Sequence, residues 1–203
     1  MTTSRTRTRL DLDRRRRQLV EIGLDLFSER AYDEIAIDDI AVAAGISKGL
    51  LYHYFPSKRD FYVEVIREAA TELRARTEGD SSLPPLERLN ASIDAYLDHV
   101  EQHARGHATL LRGGIGTDPE VRAIVDENRR ISAQRIVDAI VEQGGDPTPA
   151  VRLAVRGWIG FVEAVSLDWV ERREVAREDV RFLLVQTLGW AVSSAAGAPG
   201  PPV

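Results

Sequence analysis

Residues 37–58, IDDIAVAAGISKGLLYHYFPSK, crowd hydrogen-bond donors and flat rings into one short stretch. Between Lys48 and Lys58 lie three aromatic rings, two lysines and a histidine, within eleven residues. Ser47 and Lys48 stand where a helix should begin, and there free N–H groups and the positive end of the helix dipole attract phosphate. A lysine at that point can also reach a guanine edge. Gly49 lets a backbone approach a groove closely, while the hydroxyls of Tyr52 and Tyr54, the His53 ring and the Lys58 ammonium suit phosphates. The bland alternative is a surface aromatic cluster on an ordinary helix bundle, and the mixture of residue types argues against it. A second basic stretch precedes this one: Arg5, Arg7 and Arg9 alternate, and residues 14–17, including Arg16 and Arg17, are all arginine. On charge alone, a solvated tail and a phosphate-contacting arm are equally open.

Other chemistry is poorly supported. His99, His103 and His107 fall at i, i+4 and i+8, a spacing that can hold a metal. Gly106 is expected to break that helix, and the chain has no cysteine to assist. A solvated or packed histidine face is preferred, and no metal is assigned. There is no G-x-S-x-G elbow, H-E-x-x-H or phosphate loop, and the glycines at 113–116 (GGIG) follow no strand. No catalytic residue or cofactor is assigned, and the chain is not expected to be an enzyme.

The elements that must position these residues are helices. Apolar residues form 43% of the 203 and charged residues 29%, ordinary for a globular protein. The absence of cysteine suits a reducing cytoplasm, no apolar run nears the ~20 residues that span a bilayer, and no secretory signal is visible. Localisation is expected to be cytoplasmic, with no membrane partner. Residues 1–60 carry 11 Lys/Arg against 10 Asp/Glu, and the remainder 16 against 22. Apolar spacing and capping residues predict an all-α fold of about nine helices. A flexible basic arm (1–10) precedes a first helix over 11–29, with Gly23 as a point of close helix approach. Helices follow over 37–44, ending at Gly45, over 48–54, capped by Ser47, and from Ser57 to about Glu78. Further helices are expected from Pro85 to about His103, over roughly 106–111, from a Thr117 cap to about Gln143, from a Thr148 cap to about Arg172, and over 177–194. The tail GAPGPPV is expected to be disordered.

Two helices joined by a short glycine-containing turn have the dimensions of a helix-turn-helix. From about Arg14 to Arg67 the sequence resembles the DNA-binding domain of the TetR family of transcriptional regulators. The matching residues are Leu19, Val20, Leu26 and Phe27; Asp39, Ile40 and Ala41; Gly45, Ile46, Ser47, Lys48, Gly49, Leu51, Tyr52, Tyr54 and Phe55; and Ser57 and Lys58. Three positions depart from the family pattern: Ala31 replaces a usual Gly, Ala36 a capping Thr or Ser, and Leu50 a frequent Thr, which puts base preference in doubt. The resemblance implies a homodimer on a palindromic double-stranded operator, usually as a repressor. It also implies a small-molecule effector in the C-terminal domain whose binding changes the spacing of the two reading heads. On it the arginine arm is expected to meet DNA, and domains are placed at 11–60 (DNA binding), 61–195 (ligand binding and dimerisation) and 196–203 (tail).

The helix from Ala150 is apolar nearly all round, which implies burial on every side and a second chain covering one of them. Val155, Ile159, Val162, Val165, Leu184 and Leu188 are the expected dimer contacts. Tyr96, His99, His103, Arg112, Trp158 and Phe161 are the expected effector-pocket residues, with His107 and Trp169 as further candidates. Each of these rings has a bland reading as core.

Overall fold

The computed structural model describes residues 3–112 and 118–197, with the side chains of 3–11, 13, 109, 110 and 112 left out of the description. Among the described residues there are nine α-helices: α1 Thr3–Glu29, α2 Ile37–Ala43, α3 Lys48–Tyr54, α4 Lys58–Arg76, α5 Pro85–Gln102, α6 Ala104–Arg112, α7 Pro119–Glu142, α8 Pro149–Arg172 and α9 Arg177–Ala196. They contain no strand, as the all-α expectation required. None of the helices is long and apolar enough to cross a membrane.

The helix ends follow the local chemistry closely. The turn after α2 is a Schellman motif: Ile46 N–H donates to the Ala41 carbonyl and Gly45 N–H to that of Val42, with Gly45 at φ +62. Ser47 Oγ accepts from Leu50 N–H and starts α3, and Thr148 caps α8 in the same way through Val151 N–H. Ala36 cannot cap α2, and the Asp39 carboxylate instead accepts the Ala36 N–H at 2.9 Å.

The structure departs from or adds to the sequence reading at four points. The first helix begins at Thr3 rather than at residue 11, because no Gly or Pro interrupts the arginine-rich stretch and arginine and leucine favour helix. A short 3₁₀ turn, Tyr32–Glu34, fills the space before α2. Asp118 caps α7, its Oδ1 accepting from Glu120 and Val121 N–H; Thr117 lies outside the described residues, as do the glycines at 113–116 and positions 198–203 of the tail. Gly106 does not break a helix. It lies inside α6 against the Phe27 carbonyl, which an added Cβ would meet at 2.4 Å. The break falls at His103, so the three histidines do not share one helix face.

The chain divides into two compact units. The first takes the chain up to Thr71 and His103–Ile124; the second takes Glu72–Gln102 and the chain from Val125. The boundary lies beyond residue 60 because the first turns of α4 bury Phe61, Tyr62, Val63, Val65 and Ile66 in the first core, with Leu19, Phe27, Ile40, Leu51 and Phe55. Phe27 meets Tyr62, and Phe55 meets Phe61, edge to face at 4.8 Å. Gly23 sits where a Cβ would come within 2.5 Å of Val65 and 2.7 Å of Phe61, which explains a glycine in mid-helix. The second core joins Ile93 and Leu97 of α5, Ala133 and Val137 of α7, Val155, Trp158, Val162 and Trp169 of α8, and Val180, Leu184 and Leu188 of α9.

Candidate nucleic-acid interface and ligand cavity

In the first unit, α2 and α3 pack through Ile40, Ala41 and Leu51, all buried, and turn the other side of α3 outward. Lys48, Gly49, Leu50, Tyr52 and His53 are exposed there, and a Cβ on Gly49 would meet nothing within 4 Å. The Lys48 ammonium donates to Asp38 at 2.9 Å, and that hydrogen bond raises its pKa. Asp38 is a partner the sequence pattern did not single out as such. The Ser47 hydroxyl is engaged in its cap.

Other expected contact residues are placed differently. Tyr54 is half-buried against the first core, with the His53 ring edge-on at 5.5 Å. Lys58 turns inward: its ammonium donates to the Tyr32 carbonyl at 2.5 Å and lies 3.9 Å from the centre of the Tyr32 ring. Burial lowers its pKa. Its position ties α4 to the 3₁₀ turn, and no spacing rule would have shown that. Arg16 pairs with Glu64 at 3.2 Å and stacks 4.9 Å above Phe55, and both Arg16 and Arg17 are exposed. Elsewhere in the first unit, Arg59 grips Asp118 with two hydrogen bonds of 2.6 and 2.7 Å, which hold the carboxyl down at a pKa of about 2.

In the second unit, α4, α5, α7 and α8 enclose a cavity of about 220 Å³. Tyr96 and Trp158 line it, as expected; His99, His103 and Phe161 do not. His99 is buried in α5, and Phe161 lies on the outer side of α8. His103 and His107 belong to the first unit, where burial, then His103, pushes His107 down to a pKa of about 4. The Arg112 side chain lies outside the described residues. Sequence reasoning missed the polar part of the lining, which includes Arg88, Asn128, Arg129, Ser132, Arg135 and Glu163. Arg129 and Glu163 form a two-pronged pair, with Nε 2.9 Å and Nη2 2.8 Å from the carboxylate oxygens. Among the described residues Asn128 Oδ1 is buried with no hydrogen-bond partner. Burial, then Glu163, raises the Tyr96 pKa. Trp158 Nε1 donates to the Leu184 carbonyl at 2.9 Å, so the ring offers the cavity its apolar face.

Four of the six expected dimer contacts are corrected. Val155, Val162, Leu184 and Leu188 are buried in the chain's own core, and Ile159 and Val165 pack against it. An α8 apolar nearly all round has two apolar stripes: Val155 and Val162 lie on the inner one, as Leu184 and Leu188 do on the inner side of α9, while Ile159 and Val165 are half-buried. The outer side of this helix pair leaves Leu153 66%, Phe182 65% and Trp190 64% exposed, beside Phe161 and Leu183.

A glycine-turned helix pair presenting a polar, open second helix, followed by a helical unit with an apolar cavity, defines a helix-turn-helix regulator of transcription. The bacterial regulatory proteins, tetR family, model matches residues 19–65, and the tetracyclin repressor-like C-terminal domain model matches 85–191. The chain belongs to the TetR family of transcriptional regulators. It is 29% identical over 171 residues to the transcriptional activator FasR of Mycolicibacterium smegmatis, an overlap covering 81% of this chain and 74% of that one. It is 33% identical over 123 residues to the transcriptional repressor KstR2 of Mycobacterium tuberculosis, covering 57% of this chain and 60% of that one. A crystal structure of a tetR-family transcriptional regulator from Streptomyces coelicolor superposes with a TM-score of 0.83 at 34% identity, covering 91% of this chain and 82% of that one.

Proposed function

We propose that this regulator binds a palindromic operator as a homodimer, usually to repress, and releases it when a small molecule fills the cavity of the second unit. The observation that carries the reading is the outward surface of α3, where Lys48, Tyr52 and His53 stand exposed around a glycine that leaves room for a groove. A helix so built reads base edges with its first residues and fixes its register through phosphates. A second copy of the chain is the occupant proposed for the outer side of α8 and α9. Leu153, Phe182 and Trp190 leave more apolar surface there than scattered surface residues account for. Gly157 and Gly189 would let a partner's helix come close, since a Cβ on either of them meets nothing. For the effector, Asn128 Oδ1 supports occupancy, because a buried acceptor without a partner costs roughly 1–3 kcal/mol until a donor reaches it.

Anisotropy titrations against duplex from the chain's own upstream region test the reading. Tyr52→Phe and Lys48→Gln should each weaken operator binding, and Lys48→Gln should also lower the salt slope by about one. Unchanged binding in both variants would remove α3 from the interface.

A further inference from the structure

Two hollows in the second unit share a wall. An open groove of about 670 Å³ runs along α7 and α8, and Arg129, Ile159 and Glu163 border both it and the cavity. The groove carries Arg129, Arg130, Arg152 and Arg156 against only two carboxylates, Asp126 and Glu163. Arg129 is engaged by both of those acids. Arg130 pairs along its own helix with Glu127. Arg152 donates to the Pro147 carbonyl, and among the described residues neither Arg152 nor Arg156 has a carboxylate partner. The chain as a whole carries a net charge of -5, so an unmatched arginine row is a local feature. Arg152 and Arg156 stand one turn apart on α8, across from Arg130 on α7, and guanidinium forks so placed suit a carboxylate or phosphate.

The cavity supplies the complementary half. An apolar cavity of about 150 Å³ admits benzene, so 220 Å³ has room for roughly ten carbon atoms. Leu73, Leu89, Ile93, Ile136 and Leu188 give its wall an apolar part, and the arginines beside them are engaged, Arg88 by Glu142 and Arg135 by the Arg74 carbonyl. We infer that cavity and groove are two halves of one site for an anionic amphiphile. Its apolar part fills the cavity, its carboxylate or phosphate head rests on Arg130, Arg152 and Arg156, and the Arg129–Glu163 pair marks the junction. The inference rests on the cavity being the effector site. An arriving head can also compete with Glu163 for Arg129, which gives the ligand a way to loosen α7 from α8.

Calorimetric titration of the full chain with octyl phosphate, octanol and inorganic phosphate tests this. Octyl phosphate should bind about tenfold more tightly than octanol. The advantage should vanish in the double variant Arg152→Gln, Arg156→Gln and shrink at high salt, with octanol binding unchanged. Equal affinity for octyl phosphate and octanol would overturn the anionic head while leaving the cavity as the effector site. An octyl phosphate advantage that survives the double variant would overturn the arginine assignment. Inorganic phosphate binding as tightly as octyl phosphate would show a groove without a cavity and overturn the joint site. Failure of both alkyl compounds to bind would remove the cavity reading beneath it.

Discussion

Lys48 and Lys58 show how differently two lysines ten residues apart can be used. Lys48 is exposed and held only by Asp38, a solvent-screened pair that a phosphate can displace. Asp38→Asn should therefore raise affinity for operator and non-operator duplex alike, by roughly threefold to tenfold at low salt, since one negative charge leaves the approach path. Loss of affinity in that variant would instead make Asp38 a contact in its own right. Lys58 has its ammonium on the Tyr32 carbonyl and ring. Lys58→Ala should lower stability by about 1 kcal/mol, a fall of roughly 2–4 °C in Tm, with the salt slope of DNA binding unchanged. A slope reduced by about one would return Lys58 to the phosphates. Asp118 contributes to acid behaviour. The bond from Arg59 depresses its pKa from 3.8 to about 2, so on acidification the unfolded chain takes up this proton first. Its stabilisation is complete above about pH 4 and lost progressively from there down to about pH 2. Asp118→Asn should lower Tm at neutral pH and flatten the acid limb of a Tm-against-pH profile.

At the scale of elements, the helices were legible where end chemistry is local. Gly45, Ser47 and Thr148 gave α2, α3 and α8 their ends, because a left-handed glycine or a capping oxygen acts within four residues. Asp118 caps the start of α7, and Arg59, far away in sequence, fixes its carboxylate there. Gly106 misled for the same reason: a glycine that allows helix contact and one that breaks a helix look alike until the Phe27 carbonyl is in place. Gly23 is the clearer instance, since its neighbours Phe61 and Val65 are wholly buried. Gly23→Ala gains helix propensity but forces a methyl into the first core, at a net cost of about 1–3 kcal/mol by chemical denaturation. A stabilised variant would mean that α1 and α4 can part without loss.

For the whole molecule, what an α8 apolar all round does depends on which stripe its own chain covers, and composition is silent on that choice. Val155 and Leu184 are fully buried, so a charge there damages the core of each chain before it can touch a partner. Trp190 is 64% exposed and Leu153 66%, so a charge there leaves the fold intact and acts only on association. Trp190→Glu, combined with Leu153→Glu if one charge is insufficient, should give a folded monomer: unchanged helical circular dichroism and a halved mass by sedimentation. Leu184→Glu should instead unfold. The monomer keeps its reading surface, so affinity for a single half-site should hold, while affinity for the full palindrome should fall by about 10²-fold or more as the second half-site loses its effective concentration. If the double variant sediments as a dimer, the outer side of α8 and α9 is not the interface, and the exposed apolar residues there serve another partner.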